Sequence, residues 1–209
     1  MFRPFNIRAS AVFYVLSILL SVMCCRAFVT IPPSPPSKSF RDMYRRPSKI
    51  LLFMGMKVNI RIVGRKSGSE KWLDDASTMY ENRLRPSNVQ VETTWHKDNP
   101  GLLKGIEADR SKGHSVVLLD PLGKTKTSEK FSENMYEWLD RGGSRLSFVI
   151  GGAEGLPPQL KYPPPSDRSP KLEMISLSEL TFTHQFARIL LIEQIYRATE
   201  IRKGSGYHK

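Results

Sequence analysis

The sequence predicts an α/β fold, a mostly parallel sheet with helices on both faces. From residue 57 onward, segments with apolar residues at every second position alternate with segments in which they recur every three or four, the signatures of strand and amphipathic helix. Two short runs, 115–119 and 146–150, are apolar almost throughout, which suits strands covered on both faces. A length of 209 residues leaves room for one ordinary domain plus an appendage.

The first strand is Lys-Val-Asn-Ile-Arg-Ile-Val-Gly at 57–64, with Val58, Ile60 and Ile62 on one face. After Gly68, Trp72, Ala76, Met79, Tyr80 and Leu84 step at helical spacing until Pro86 closes the segment, which places Trp72 in the core. Val89, Val91, Thr93 and Trp95 alternate as a second strand, and Leu102, Leu103, Ile106 and Ala108 mark a helix between Asn99 and Gly113. The run at 115–119 is a strand ending in Asp120-Pro121. Phe131, Met135, Trp138 and Leu139 form the apolar face of a helix stopped by Gly142-Gly143. The run at 146–150 is the next strand, 172–177 the last, and a helix follows from His184 to about Ile201. Ligands of such sheets bind beyond the carboxyl ends of the strands. That directs attention to 120–124, 151–155 and 177–183.

The formal charge of +12 is unevenly spread. Residues 1–56 hold eight basic residues and one acid, Asp42, so a net +7 sits in the first quarter and only +5 in the remainder. A basic leader explains much of the excess, and total charge is weak evidence for nucleic acid. Arg3 and Arg8 precede an apolar run from Ala11 to Met23 of 13 residues, short of the ~20 needed to cross a bilayer and typical of a signal-peptide core. Cys25 and Ala27 fit a cleavage site before Phe28, and 28–49 is rich in Ser, Pro and basic residues. We therefore expect a signal peptide at 1–27, a transit peptide or linker at 28–56, and the functional domain at 57–209. This resembles a two-part plastid presequence and implies the plastid stroma, with no stable membrane association after processing. Secretion, a signal anchor and a mitochondrion are the alternatives.

Both cysteines, Cys24 and Cys25, lie in the leader. The body thus offers no disulfide, thiolate ligand or covalent cysteine. His96, His114, His184 and His208 show no zinc-helix spacing, so no metal is expected. No serine stands in a nucleophile elbow. Gly-Gly-Ala-Glu-Gly at 151–155 is neither a dinucleotide fingerprint nor a phosphate loop. It reads as a tight turn or as a loop a ligand can approach closely. Thr181 or Thr183 can cap the last helix. Residues 184–209 carry Arg188, Arg197, Arg202, Lys203 and Lys209 against Glu193 and Glu200, with Tyr207 and His208 at the end. That mixture suits RNA phosphates and unstacked bases, or a solvated helix end with a frayed tail.

In order, the opening strand, Leu-Leu-Asp at 118–120, Phe-Val-Ile-Gly-Gly-Ala-Glu-Gly at 148–155, Leu-Ser-Glu-Leu-Thr-Phe at 177–182, His184-Gln185 with Arg188, Glu-Gln-Ile-Tyr-Arg-Ala at 193–198 and the terminal Tyr-His-Lys resemble one family. It is the SPOUT-class ribosomal RNA large-subunit pseudouridine N3-methyltransferases. The resemblance covers 57–209. It implies a C-terminal trefoil knot, a homodimer, S-adenosylmethionine as cofactor, and ribosomal RNA within the assembled ribosome as substrate. The same resemblance places Leu119, Gly151, Leu177, Ser178, Glu179, Leu180, Thr181 and Phe182 against the cofactor, largely through backbone groups. Two departures stand out: six prolines between Gly155 and Thr181 suggest a local surface insertion, and Thr183 replaces a common proline.

N3 methylation requires loss of the imide proton and an in-line methyl donor, so positioning and one general base suffice. His184, Arg197 and His208 are the candidate catalytic residues. The histidines are the titratable candidates near neutral pH, and Arg188 and Arg197 can stabilise an imidate or hold phosphates. Arg188, Arg202, Lys203, Tyr207 and Lys209 are the candidate RNA contacts. His184 can equally be a helix-start hydrogen bonder, and His208 a phosphate contact. The alternative function is a catalytically silent RNA-binding or ribosome-assembly protein on the same fold.

Overall fold

The computed structural model describes residues 55–66, 70–163 and 172–208. The expected signal segment, residues 28–54 of the expected transit segment, Gly68, residues 164–171 of the proline-rich insertion and Lys209 lie outside the described residues, while Met56, placed in the leader by the sequence, opens the first strand. The strands are β1 (Met56–Val63), β2 (Val89–His96), β3 (Ser115–Thr125), β4 (Arg145–Ile150) and β5 (Glu173–Ser176). The helices are α1 (Lys71–Leu84), α2 (Asn99–Ser111), α3 (Ser128–Arg141), a single turn α4 (Pro158–Lys161) and α5 (His184–Lys203). All strand pairs are parallel and the order across the sheet is β2-β1-β4-β3-β5.

Alternation along the strands divides the core in two. Val58, Ile60, Ile62, Val117, Leu119, Leu146, Phe148 and Ile150 pack with Leu84 of α1, Phe131, Met135 and Trp138 of α3, and Leu191, Ile192 and Ile195 of α5. Phe131 and Trp138 meet Phe148 with ring centroids 6.0 and 5.9 Å away. On the other face Val116, Leu118 and Val149 pack under Leu102 and Ile106 of α2. Helices therefore cover both faces, as the alternating pattern predicts.

That second face also buries charge. Arg61 grips the Asp109 carboxylate through two 2.7 Å hydrogen bonds, Ser147 donates to the same carboxylate, and His96 lies 3.2 Å from Arg61. Burial works against an ionised Asp109, but the Arg61 and Ser147 hydrogen bonds and the Arg61 charge outweigh it and hold its pKa low. Helical spacing assigned Ala108 to the buried face. The structure exposes Ala108 and buries Asp109.

Two further expectations are corrected, and one left open between two residues is decided. Trp72 is 57% exposed, because the buried side of α1 runs through Leu73, Ser77 and Leu84. Residues 120–124 are not a free loop. β3 bulges after Leu119 and re-pairs Lys124 and Thr125 with Ile175 and Ser176, and Gly123 permits this because a Cβ there would stand 2.4 Å from the Ile175 carbonyl carbon. Of the two threonines offered as the α5 cap, Thr183 takes the role, accepting from the Phe186 amide at 3.3 Å.

Candidate functional site

The carboxyl ends of β3, β4 and β5 and the amino end of α5 enclose a cavity of about 820 Å³. Leu119, Gly151, Leu177, Ser178, Leu180, Thr181 and Phe182 all line it, and His184 does too. Glu179 does not. Three separate stretches of sequence, within 119–122, 150–161 and 176–187, thus meet at one place, where parallel sheets bind ligands. A smaller cavity of about 530 Å³ lies by His114, Trp138 and Arg141, at the amino end of β3. Its position at the wrong end of the strands argues against it.

Backbone turns build the walls. Gly152 and Gly155 form an isolated antiparallel bridge, the Gly155 amide donates to the Gly152 carbonyl at 3.0 Å, and Gly155 has φ +80°. At Gly151 a Cβ would stand 2.1 Å from the Gly155 carbonyl carbon. Glycine is required there by the turn crossing over itself, which is the tight-turn reading of this segment. In the following loop the Ser176 hydroxyl donates to the Ser178 carbonyl at 2.6 Å, and the Ser178 hydroxyl accepts the Leu180 amide at 3.0 Å. The Leu180 side chain is left 71% exposed at the mouth.

Charged groups at the cavity are few. Asp120 is buried and pairs with Lys161 of α4 at 2.6 Å, and it also accepts the Leu122 amide at 3.0 Å. Sequence spacing gave no hint of this pair. His184 presents its ring edge-on to Trp95, centroids 6.4 Å apart. Gly64 makes room for it, since a Cβ there would lie 3.2 Å from His184 Nε2.

One turn further along α5, Arg188 is only 4% exposed. It forms an ion pair with Asp74 at 3.1 Å and stacks over Trp95 at 5.3 Å. Burial opposes the charge on Asp74, yet hydrogen bonds from Arg188 and Lys66 keep its pKa below the usual value. Arg188 is a packed cation in this chain, unlike the surface contact its position suggested.

The remaining sequence candidates gather along the carboxyl half of α5, where Arg197 stands 13 residues past His184, roughly 20 Å along the helix axis. Gly204 ends the helix in the left-handed region with φ 67°, and the tail folds back. Tyr207 packs edge-on against Tyr196 at 4.9 Å, lies 4.9 Å from the Arg197 guanidinium, and donates its hydroxyl to Glu193 at 3.1 Å. Burial, with Glu193 beside it, pushes the Tyr207 phenol up to about 12. Arg197 donates twice to Glu193, at 3.1 and 2.6 Å. His208 Nε2 lies 2.6 Å from Glu129. Arg202 stacks over Tyr136 at 4.4 Å, and Lys203 pairs with Glu200 at 2.8 Å. Within one chain, His184 is therefore at the cavity while Arg197, Arg202, Lys203, Tyr207 and His208 are together elsewhere.

No helix among the described residues is long and apolar enough to cross a membrane. A family model described as a predicted SPOUT methyltransferase matches residues 56–208. The ribosomal RNA large subunit methyltransferase H of Protochlamydia amoebophila is 47% identical over 154 residues, covering 74% of this chain and 99% of that protein. Its namesake in Ruegeria sp. is 37% identical over 167 residues, with 74% and 99% covered. That of Halothermothrix orenii is 33% identical over 172 residues, with 74% and 100% covered.

Proposed function

The chain belongs to the SPOUT methyltransferase family, and from that premise we propose that it methylates N3 of a pseudouridine in large-subunit ribosomal RNA, with S-adenosylmethionine as donor. The observation that carries this reading is the cavity, since seven of the eight residues to which the family resemblance assigns the cofactor line it. Its volume of about 820 Å³ falls within the roughly 300–1,000 Å³ of small-molecule sites. Leu119, Leu177, Leu180 and Phe182 offer apolar cover for a purine, and the turns at 151–155 and 176–180 offer backbone groups to its polar edge. When bound, the cofactor supplies an electrophilic methyl group carried on sulfonium.

The chain's own residues hold the acceptor and move the proton. His184 is the imidazole at the cavity and is assigned the N3 proton, so that the nitrogen lone pair is free to take the methyl group. His208 is assigned to ribosomal RNA contact. Arg197 is a permanent cation with only hydrogens to offer, so His208 Nδ1, 3.4 Å away, must face it with its lone pair while the Nε2 hydrogen points at Glu129. No lone pair remains for an imide proton. No covalent nucleophile is needed, in keeping with a body that lacks cysteine.

The working unit of the proposal is a knotted homodimer. A tail at the far end of α5 from its own cavity serves the partner's cavity in that arrangement. The organellar setting rests on the leader alone, with the plastid stroma preferred and the mitochondrion as alternative. Incubating unmodified ribosomes with the protein and labelled cofactor, then mapping the modified nucleotide, tests the activity. A methyl group on any other atom refutes the assignment, and calorimetry showing no cofactor binding favours the silent RNA-binding protein. A fluorescent fusion of residues 1–56 should enter plastids. Its appearance in the medium would refute that address.

A further inference from the structure

A chain terminus ordinarily frays, yet Tyr207 and His208 are held by side chains from two helices. Together with three helix side chains, the two tail residues form a continuous chain of contacts. Glu129 meets His208 Nε2 at 2.6 Å, His208 Nδ1 lies 3.4 Å from Arg197, Arg197 donates to Glu193 at 2.6 Å, and Glu193 receives the Tyr207 hydroxyl at 3.1 Å. Glu193 and Arg197 sit one turn apart on α5, and their pairing explains itself locally. Glu129 does not. It comes from the first turn of α3, 79 residues from His208, and none of the contacts described for the cavity involves it.

We propose that Glu129 is a positioning residue for methyl transfer, acting through His208 to fix the ring's tautomer and the path of the C-terminal tail. This rests on the functional reading above. The other groups around His208 are Arg197 and Glu193 on α5 and Tyr207 on the tail, with Tyr80 and Arg83 of α1 beyond Tyr196. Among the four nearest, Glu129 alone can accept the Nε2 hydrogen, because Glu193 is committed to Arg197 and Tyr207. The hydrogen bond from His208, aided by Thr127 and a backbone amide, holds the Glu129 carboxyl at about 2. Glu129 is thus ionised, and an acceptor, at neutral pH. Its loss would free the ring to rotate and the last residues to move by an ångström or more, and displacements of that size cost up to ~100-fold in rate.

The test uses the full chain with Glu129→Ala, Glu129→Gln, His208→Ala and the Glu129→Ala/His208→Ala pair, assayed on unmodified ribosomes. Glu129→Ala should lower kcat about tenfold or more, while calorimetry finds unchanged S-adenosylmethionine affinity. Glu129→Gln retains an oxygen for the Nε2 hydrogen and should recover most of the rate. Adding Glu129→Ala to His208→Ala should cost nothing further, the coupling expected of residues that act as a unit. Nitrogen NMR of the His208 ring should show the Nε2–H tautomer in the wild type and a mixture in Glu129→Ala. Additive losses in the double variant, or a rate that merely follows a falling melting temperature with Gln no better than Ala, would overturn the positioning role and leave the activity standing. A wild type that binds cofactor yet leaves ribosomes unmodified overturns the functional reading and the positioning role together.

Discussion

At its amino end α5 meets loops held by backbone turns and hydroxyl caps, whereas at its carboxyl end it meets the chain terminus through carboxylates, a guanidinium and stacked tyrosines. The two ends should fail in different ways. A site made of backbone tolerates changes in side-chain chemistry and is damaged by a single misplaced Cβ. One made of side chains tolerates backbone adjustment and is damaged by the loss of one charge. If the cavity binds cofactor and the tail serves the acceptor, the two kinds of damage should separate in the measurements.

The largest separation should come from deleting residues 207–209. Methyl transfer should drop by ~100-fold or more, with cofactor affinity nearly unchanged and the melting temperature lowered only modestly, because the tail packs against α3 and α5 outside the core. A parallel loss of cofactor affinity would show that the two ends are one site within a chain. Mixing this deletion with Thr181→Trp sharpens the point. Thr181 is exposed at the cavity, so the bulk can enter without disturbing the backbone, and calorimetry verifies that binding is blocked. Sharing across the dimer predicts activity returning towards half per mixed dimer, since both lesions fall in one site. No recovery would mean that each tail serves its own chain.

Gly151→Ala tests the backbone-built end. Its Cβ meets the Gly155 backbone at 2.1 Å, so the turn must open and cofactor affinity should fall about tenfold or more, one such factor being ~1.4 kcal/mol. Thr181→Ala in the same cavity should stay within about twofold. Equal losses would contradict the contrast. Arg188→Met should cost about 1–2 kcal/mol in denaturant unfolding, less than the ~3–5 of a fully buried pair, since Asp74 keeps part of its solvent exposure and Lys66 as a partner. A negligible cost would return Arg188 to the surface role first expected of it.

The smallest effect concerns pH. Glu129 is held at about 2 when folded, against 4.5 for the free side chain, so its ionised form favours the folded state. That contribution is complete above about pH 5 and is lost as the pH falls from 4.5 towards 2. The difference in melting temperature between wild type and Glu129→Gln should therefore shrink as the pH falls from about 4.5 towards 2. A difference that persisted or grew over that range would refute the ionised contact.

The sequence itself was legible wherever one element reports its own environment. Period-two strands, apolar runs buried on both faces and the glycine stops located all five strands and the four long helices. The loops at 151–155 and 177–183 were legible because loops at the same ends of parallel strands in one sheet lie close together, whereas the individual cofactor residues came from the family resemblance. Trp72 shows the limit of such reasoning: its spacing fits an apolar stripe, but which side of α1 is covered depends on where α5 crosses it. Ala108 and Asp109 make the same point, because Arg61 and Ser147 on neighbouring strands turn the carboxylate into the buried neighbour.

By itself, then, the sequence determined the α/β architecture, the strand ends that carry the cavity and the residues grouped in the tail. Only the tertiary structure decided that Arg188 is buried against Asp74, that Asp120 pairs with Lys161, and that Glu129 receives His208. Each of those links joins side chains on different elements, up to 114 residues apart for Arg188 and Asp74. Periodicity encodes which way a side chain points from its own element. It carries no record of the charge that another element brings to meet it.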